Sequence, residues 1–305
     1  MANSHPQLSI LIVSYNVVNY LDKCLESIKH FTKSLTYEVI VVDSGSADDS
    51  IAMVRAKHPS VKLIDAQSNV GFTKGNNIAL AAAAGEFVCY LNPDTELTED
   101  AFGRLVTYLE ENPTIGVVAP KLLNTDGSIQ NSIGHFTQLS SLLNEYFLRR
   151  KAEQERHHYP TLPTAIDYGL GACLVVRGDL CRQLGGLDER YFANHEETDF
   201  CWQLKKLGYP TIYYPLVSLI HHGGKSSTVT PERKERWQHE NRKGQYLFFQ
   251  KNRGWLPTQA ARLIILLAML SRLLILVPWQ LFKPTPGQEA KIRYFSATVG
   301  YLLSH

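Results

Sequence analysis

The sequence carries little that would mark a secreted, disulfide-bonded protein. Its five cysteines are odd in number, widely spaced and never form a C-x-x-C pair, and four of them have apolar neighbours. This pattern is typical of reduced thiols in a core and favours a reducing compartment. The first residues contain no basic region followed by a long apolar run, so we expect no secretory signal peptide.

Several motifs that would point to other functions are also missing. The first strand-like segment is followed by Ser-Tyr-Asn and not by G-x-G-x-x-G, which argues against a Rossmann dehydrogenase. A sugar-nucleotide pyrophosphorylase would need a Gly-rich, basic loop at the same place. The basic residues lie beside an apolar run without a recognition motif, so nucleic-acid binding has little support.

The composition is that of an ordinary globular protein. Of the 305 residues 44% are hydrophobic and 20% are charged, which excludes wholesale disorder, and the formal net charge is only +2. We find no internal repeat and no low-complexity tract. The chain is long enough for one large domain, or for one domain with an appendage.

Strand-like and helix-like segments alternate through the first half, which predicts an α/β fold with a mixed, mainly parallel sheet flanked by helices. The order loosens afterwards, and the last part reads as a helical C-terminal appendage. We place the boundary between domains 1–228 and 229–305. The predicted strands are Leu8–Val13, Tyr37–Asp43, Val61–Ala66, Glu86–Leu91, Ile115–Leu122, Ile166–Arg177, Tyr209–Tyr214 and Leu216–His222, and the later predicted helices include Leu97–Glu110, Ser140–Glu155 and His195–Leu207.

The C-terminal region combines positive charge with an apolar run. Residues 225–262 contain nine Lys/Arg and three Glu, and they directly precede Leu263–Trp279, 17 residues interrupted by Ser271-Arg272 and closed by Pro278. A bilayer span needs about 20 apolar residues and tolerates a central Arg poorly. We therefore expect an in-plane helix at a membrane surface, with Arg262 and Arg272 reaching the head groups. A true span and a helix buried in the protein or an oligomer remain alternatives.

Polar side chains follow three of the predicted parallel strands. Ser14-Tyr15-Asn16 follows the first, Asp43 ends the second, and Asn92-Pro93-Asp94 follows the fourth. Ligands of open α/β sheets bind outside these carboxyl ends. Asp94 offers a carboxylate and Asn92 a neutral oxygen, the ligand types preferred by Mg²⁺ or Mn²⁺ on a diphosphate. An ordinary turn is the alternative for each segment taken alone.

Two further clusters carry titratable groups. His195-Glu196-Glu197-Thr198-Asp199 opens a predicted helix, where a carboxylate could deprotonate an attacking hydroxyl. Helix capping is the alternative interpretation. His221-His222-Gly-Gly-Lys-Ser226 lies at a strand end, and one of its histidines could complete a metal site.

Taken together, these segments resemble the inverting family 2 glycosyltransferases of the GT-A fold, in the rhamnosyltransferase-like branch that builds bacterial surface polysaccharides. The resemblance covers residues 7–226 and rests on motifs in the family's order. These are Ser9–Asn16, Glu38–Ser46, Asn69–Asn77, Leu91–Asp94, Gly171–Arg177, Gly185–Phe192, Glu196–Trp202 and His221–Ser226.

The resemblance implies roles for individual residues. The donor-binding positions would be Ser14, Tyr15, Asn16, Asp43, Gly71, Gly75, Asn76 and Asn92, with Asp43 on the base and the glycines allowing close approach to the nucleotide. Asp94 and His221 would hold Mg²⁺ or Mn²⁺. Glu197 would be the general base, with Glu196 as its rival and Asp199 supporting the helix turn. The family usually has Asp at the position of Glu197, and many relatives have Asp at that of Asn92.

The implied reaction is a single displacement with inversion at the anomeric carbon. The partners would be a dTDP- or UDP-linked sugar donor, with rhamnose as first candidate, and a glycan or lipid-linked saccharide acceptor. A cytoplasmic location at the inner face of the cell membrane would suit such an acceptor. The alternative is a non-catalytic carbohydrate-binding or scaffold protein that has kept the GT-A fold.

Overall fold

The computed structural model describes residues 5–148, 159–223, 231–282 and 285–305. The predicted boundary at 228/229, the last three residues of the His221–Ser226 motif and the end of the predicted helix Ser140–Glu155 lie outside these ranges. The chain divides into two compact units. The first comprises Met1–Phe136, Tyr159–Phe192 and Glu196–Ser226, and the second Thr137–His158, Ala193–His195 and Ser227–His305.

Within the described ranges a nine-stranded sheet forms the centre of the first unit, in the order β3-β2-β1-β4-β10-β6-β11-β5 with β8 also paired to β11. Strands β1 to β4 are parallel to one another, whereas β10 is antiparallel to β4 and β6. The predicted mixed, mainly parallel sheet is therefore confirmed. The strands are β1 Leu8–Ser14, β2 Tyr37–Asp43, β3 Lys62–Asp65, β4 Phe87–Leu91, β5 Thr95–Leu97, β6 Val117–Leu123, β7 Ile133–Gly134, β8 Thr164–Ile166, β9 Tyr168–Gly169, β10 Cys173–Arg177 and β11 Thr211–His221.

Helices cover both faces of the sheet, and alternate residues of β1 show why. Leu8, Ile10 and Ile12 pack in one core, which α1 helps to form, whereas Leu11 packs in a second core with α3. All seven residues of β1 are buried, as expected for a strand covered on two sides. The helices are α1 Val18–Phe31, α2 Ser50–Lys57, α3 Phe72–Ala81, α4 Ala101–Glu111, α5 Leu139–Leu143, α6 Gly178–Gln183, α7 Glu196–Lys206, α8 Pro231–Asn252, α9 Trp255–Phe282 and α10 Pro286–Ser304.

The predicted helix Leu97–Glu110 begins too early. Leu97 belongs to β5 and pairs with Leu219 of β11. The helix starts only at Ala101, because the side chain of Asp100 accepts a hydrogen bond from the Gly103 N–H and caps it. Local sequence pattern did not reveal this short edge strand.

Three other predicted strands have different bounds. The predicted strand Ile166–Arg177 is divided among β8, β9 and β10, and the two short strands predicted over 209–222 form one strand, β11. β11 pairs with β6 on both sides of an irregularity between Tyr214 and Ser218. At this irregularity the backbone N–H of Ser218 donates a hydrogen bond to Glu99 Oε1 at 2.9 Å.

The second unit is helical and has its own core, formed by α5, α8, α9 and α10 and by a π-helical turn over Asn144–Leu148. Tyr246 and Phe249 of α8 pack there with Ile265 and Met269 of α9. Burial lowers the pKa of His195 to about 4, and its Nε2 lies 3.1 Å from Asn241 Oδ1. His195 is therefore a neutral side chain of this unit.

One face of α9 is buried and the other is apolar and exposed. Ala261, Ile265, Ala268 and Met269 lie in the core, whereas the exposed side chains include Leu263, Leu267, Leu274, Ile275, Leu281 and Phe282. Arg272 does not extend outward as expected. Its guanidinium donates to the carbonyls of Ala268 and Tyr146 at 2.8 and 3.0 Å and lies over the Tyr146 ring.

Candidate functional site

The Asn92-Pro93-Asp94 turn joins β4 to β5 and is held from both sides. The Asn92 N–H donates to the Ala172 carbonyl at 2.9 Å, and Thr95 Oγ1 donates to the Asn92 carbonyl at 2.8 Å. Asp94 is only 3% exposed. The turn therefore presents its carboxylate from a fixed backbone.

The structure brings His221 to this turn. β5 and β11 are antiparallel, with His221 opposite Thr95. Nε2 of His221 lies 3.3 Å from Oδ1 of Asp94 and 3.3 Å from Nδ2 of Asn92. Asn92, Asp94 and His221 thus form one cluster, which we call the Asp94 cluster, although His221 lies more than 120 residues along the chain.

The Asp94 cluster suits a divalent cation. A buried carboxylate oxygen and an imidazole nitrogen share one small space, and both are ordinary metal ligands. In the described part of the chain another group, Asp22, Glu26 and His58 between α1 and α2, also has its ligand atoms within 4.8 Å of one another. There Lys57 Nζ lies 2.5 Å from Asp22, so a cation already neutralises that carboxylate.

The carboxyl ends of β1 and β2 are tied together by side chains. Both oxygens of Asp43 accept from Ser46, from its N–H at 2.8 Å and from its Oγ at 2.7 Å. Ser46 Oγ in turn accepts from the Asn16 N–H at 2.9 Å, and Asn16 Oδ1 accepts from the Ala47 N–H. Tyr15 is partly exposed beside this network. Asp43 therefore fixes the loop after β2.

The start of α3 approaches β1 closely. Gly71 has φ +82°, and a Cβ added there would lie 2.7 Å from the Phe192 ring. A Cβ on Gly75 would lie 2.8 Å from the Val13 side chain. Glycine is thus required at both positions, at Gly71 for backbone conformation and at both for space.

Buried polar atoms without protein partners lie at the same edge of the sheet. Ser14 Oγ, Thr73 Oγ1 and Asn76 Oδ1 are buried and have no hydrogen-bond partner among the residues described. Buried polar groups are normally paired, with protein, water or ligand. These three atoms lie at the end of β1 and the start of α3.

The first turn of α7 carries the three acidic residues predicted for catalysis. Glu196 is 5% and Asp199 2% exposed, whereas Glu197 is partly exposed. Burial, together with the neighbouring Glu197 carboxylate, raises the pKa of Glu196 well above its ordinary value. Asp199 accepts from Gln203 Nε2 at 3.3 Å, one turn along the helix. Burial, together with the Glu197 carboxylate, also raises the pKa of Tyr168 to about 12, so Tyr168 is a neutral phenol near Glu197.

Gly171 and Ala172 connect α7 to the Asp94 cluster. A Cβ on Gly171 would lie 3.7 Å from Glu197 Cβ, so the side chain of Glu197 packs against this glycine. The next residue, Ala172, accepts the hydrogen bond from the Asn92 N–H. Glu197 and the Asp94 turn therefore flank the same two-residue segment.

Two polar residues at the site were missed by sequence reasoning. Asn77 makes paired bonds with Leu187, donating to its carbonyl and accepting from its N–H, each at 2.8 Å, and so holds the Gly185–Phe192 loop. Gln130 Oε1 lies 2.7 Å from His221 Nδ1. Asn77 ends a recognised motif and could have been noticed, whereas Gln130 follows an ordinary hairpin turn and has no motif.

Comparisons with known proteins identify relatives of this chain. The chain is 26% identical over 269 residues to the N-acetylglucosaminyl-diphospho-decaprenol L-rhamnosyltransferase of Mycobacterium tuberculosis, covering 81% of this chain and 86% of that protein. It is 25% identical over 221 residues to the low-salt glycan biosynthesis hexosyltransferase Agl10 of Haloferax volcanii, covering 70% and 67%.

Solved structures show the same fold. The mannosyltransferase PcManGT from Pyrobaculum calidifontis, in complex with GDP-Man and Mn²⁺, matches with a TM-score of 0.59 and 19% identity over 99% of this chain and 88% of that one. The fold is thus GT-A, as the sequence predicted. The sequence pattern described as glycosyl transferase family 2 matches residues 9–169, and the chain belongs to that family.

Proposed function

We propose that this glycosyltransferase is metal-dependent and inverting. It transfers a sugar, with L-rhamnose as first candidate, from a dTDP- or UDP-linked donor to a lipid-linked saccharide at the cytoplasmic face of the membrane. The observation that carries the proposal is the placement of Glu197 and the Asp94 turn on either side of Gly171-Ala172. A proton acceptor and a cation site beside one segment are what a displacement of a diphosphate requires.

The donor occupies the carboxyl ends of β1 and β2 and the start of α3 in this proposal. Ser14, Tyr15, Asn16 and Asp43 line the nucleoside side, and the start of α3, which packs through Gly75 against Val13 of β1, lies beside them. The unpartnered Ser14 Oγ, Thr73 Oγ1 and Asn76 Oδ1 support this location, because a polar ligand would satisfy them. Asn92 presents its amide beside the diphosphate.

Asp94 and His221 would hold the cation. A bound Mn²⁺ or Mg²⁺ would supply Lewis-acid stabilisation of the negative charge on the departing diphosphate. The imidazole nitrogen favours Mn²⁺, because Mg²⁺ prefers oxygen ligands. The two atoms that would hold the cation, Asp94 Oδ1 and His221 Nε2, lie 3.3 Å apart.

Glu197 is the general base. It takes the proton of the acceptor hydroxyl, whose oxygen attacks the anomeric carbon on the face opposite the diphosphate, and the configuration inverts. Glu196 is a poorer base, because its buried carboxyl retains its proton well above the ordinary range. Asp199 and Asn77 keep α7 and the preceding loop in place, through Gln203 and Leu187 respectively.

The rhamnose assignment rests on the relative from Mycobacterium tuberculosis, whose name describes an L-rhamnosyltransferase acting on a polyprenyl-diphosphate sugar. A lipid-linked acceptor also fits the C-terminal unit. α9 is 28 residues long and, among the described helices, is the one long and apolar enough to cross a bilayer. Because its inner face is packed against its own unit, we propose that the exposed apolar face lies in the membrane surface.

A donor screen tests the proposal. The full-length protein is incubated with dTDP-rhamnose, UDP-sugars and GDP-mannose, each with a polyprenyl-diphosphate-linked saccharide, with Mn²⁺, Mg²⁺ or EDTA. We expect nucleoside-diphosphate release and a glycosylated lipid only with a metal, and an inverted linkage by NMR of the product. No transfer with any donor, together with saccharide binding, would instead indicate the non-catalytic scaffold.

A further inference from the structure

Gln130 contacts His221 through two different groups. Its Nε2 lies 3.2 Å from the backbone carbonyl oxygen of His221, and its Oε1 lies 2.7 Å from Nδ1 of the same residue. The Nε2 group also donates to Asn124 Oδ1 at 3.0 Å. Gln130 is itself held by its backbone, since its N–H donates to the Leu122 carbonyl at 2.8 Å.

These contacts fix which way the amide of Gln130 faces. A backbone carbonyl only accepts hydrogen bonds, so the group of Gln130 beside the His221 carbonyl must be the NH₂. Asn124 does not contradict this orientation, because its own NH₂ donates to Ser128 Oγ at 2.9 Å and leaves Oδ1 as the acceptor. The oxygen of the Gln130 amide therefore faces His221 Nδ1.

The orientation of the amide in turn fixes the imidazole. An amide oxygen only accepts, so Nδ1 of His221 must carry the hydrogen of the 2.7 Å bond. Nε2 is then the ring nitrogen that would face a metal, and it lies 3.3 Å from both Asp94 Oδ1 and Asn92 Nδ2. Metal-binding histidines commonly donate their other N–H to such an oxygen, which sets the tautomer and the ring plane.

We infer that Gln130 is a positioning residue, which directs Nε2 of His221 towards the metal by accepting the hydrogen on Nδ1. This inference rests on the proposed metal role of Asp94 and His221. In this arrangement the hairpin at Asn124–Ser128 returns the chain from β6 and so places Gln130 beside the end of β11. Gln130 does not contact the donor in this scheme and acts only through His221.

The test measures Mn²⁺ affinity by the EPR signal of free Mn²⁺, on the full-length protein without donor. We expect Gln130→Met to weaken Mn²⁺ binding by about 10- to 100-fold, since it has similar length but no acceptor. Gln130→Glu keeps an acceptor on Nδ1 but loses the NH₂ that faces the His221 carbonyl, so it should lose less Mn²⁺ affinity than Gln130→Met. The surface control Gln183→Met, at an exposed position of α6, should bind as wild type does.

A double-mutant cycle shows whether Gln130 acts through His221. In a His221→Ala background, Gln130→Met should cause no further loss of Mn²⁺ affinity. The inference would be overturned if Gln130→Met lowered Mn²⁺ affinity equally in the wild-type and His221→Ala backgrounds. Wild-type Mn²⁺ affinity in the single variant Gln130→Met would also overturn it. Melting temperatures within a few degrees of one another separate these results from unfolding. If Asp94→Asn and His221→Ala also leave Mn²⁺ affinity unchanged, the proposed metal site itself is wrong, and the inference fails with it.

Discussion

Glu196 and Glu197 are consecutive residues on the first turn of α7, yet only Glu196 is fully buried. The partly exposed Glu197 packs against Gly171. Adjacent positions on a helix point in different directions, so the two carboxylates have different surroundings. This difference separates the two candidates for the general base.

Glu197→Gln should lower the transfer rate by about 10²- to 10⁴-fold, because a general base is lost while the side-chain size is kept. Glu196→Gln is the matched control and should stay within a few-fold of wild type. Initial rates at saturating donor and Mn²⁺ measure both. The reverse ranking would assign the base to Glu196.

Glu196→Gln should also change how stability depends on pH. The pKa of Glu196 is raised in the folded state, so the folded protein holds a proton that the unfolded chain loses above about pH 4.3. Wild-type stability should therefore fall relative to the variant as pH rises, by up to about 1.4 kcal/mol per unit until the folded pKa is passed. Urea unfolding of both proteins from pH 5 to 8 measures this. Parallel curves would show that Glu196 is ionised in the fold.

Asp94→Asn should abolish Mn²⁺ activation and reduce the transfer rate by about 10³-fold, since the cation stabilises the negative charge on the departing diphosphate by several kcal/mol. Asp22→Asn is the control for the other acidic group. It should leave Mn²⁺ activation unchanged, because Lys57 already neutralises Asp22. Rates at increasing Mn²⁺ compare the two variants. A loss of activation in Asp22→Asn alone would move the metal to α1 and α2.

Gly71→Ala should destabilise the protein more than an alanine at another glycine with positive φ. Gly208 has φ +91° with nothing within 4 Å of an added Cβ, so Gly208→Ala carries the backbone cost alone, about 1–2 kcal/mol. At Gly71 the Cβ also meets Phe192, at 2.7 Å from its ring and 2.9 Å from its carbonyl oxygen. Thermal unfolding should show at least twice the loss, with a raised KM for donor. Equal losses would mean that Phe192 moves aside freely.

Leu274→Glu combined with Ile275→Glu should reduce co-sedimentation with phospholipid vesicles by about 100-fold. The two side chains are 78% and 70% exposed on α9, and each apolar side chain buried contributes roughly 1.5–3 kcal/mol. Substitution is preferable to truncation before α9, which would expose the buried Tyr246 and Phe249 of α8. Leu162→Glu, at a 68% exposed leucine of the first unit, is the control and should not alter binding. Unchanged sedimentation of the double variant would exclude this face of α9 as the membrane contact.

The sequence predicts the fold well where the local pattern of residues alone determines an element. β2 has the predicted bounds, Tyr37–Asp43, because a β-branched run ends at a turn cluster. The edge strand β5 could not be predicted, since three residues become a strand only through pairing with β11. The split of 166–177 into three strands likewise depends on different partners for each part.

The residues of the candidate site also differ in whether the sequence alone reveals them. Motif residues such as Asp94 and Glu197 could be named because their chemistry is legible in the sequence. Gln130 could not, because its importance depends on which ring nitrogen it meets 91 residues along the chain. The direction of Arg272 was also beyond sequence reasoning, since the carbonyl of Tyr146 receives it only after the helices have packed.

The irregularity in β11 has a consequence for its two faces. Tyr214 is opposite Pro120 and Ser218 opposite Lys121, so residues 215–217 have no counterparts on β6. Side chains alternate between the two faces along a strand, and this segment has an odd number of residues. Even-numbered positions before the segment therefore lie on the same face as odd-numbered positions after it. Ile212 and Leu219 accordingly share one core, although one number is even and the other odd. The length of this segment sets the parity that directs His221, and family members should vary it in steps of two residues, because a single insertion or deletion would present Ile220 or His222 in its place.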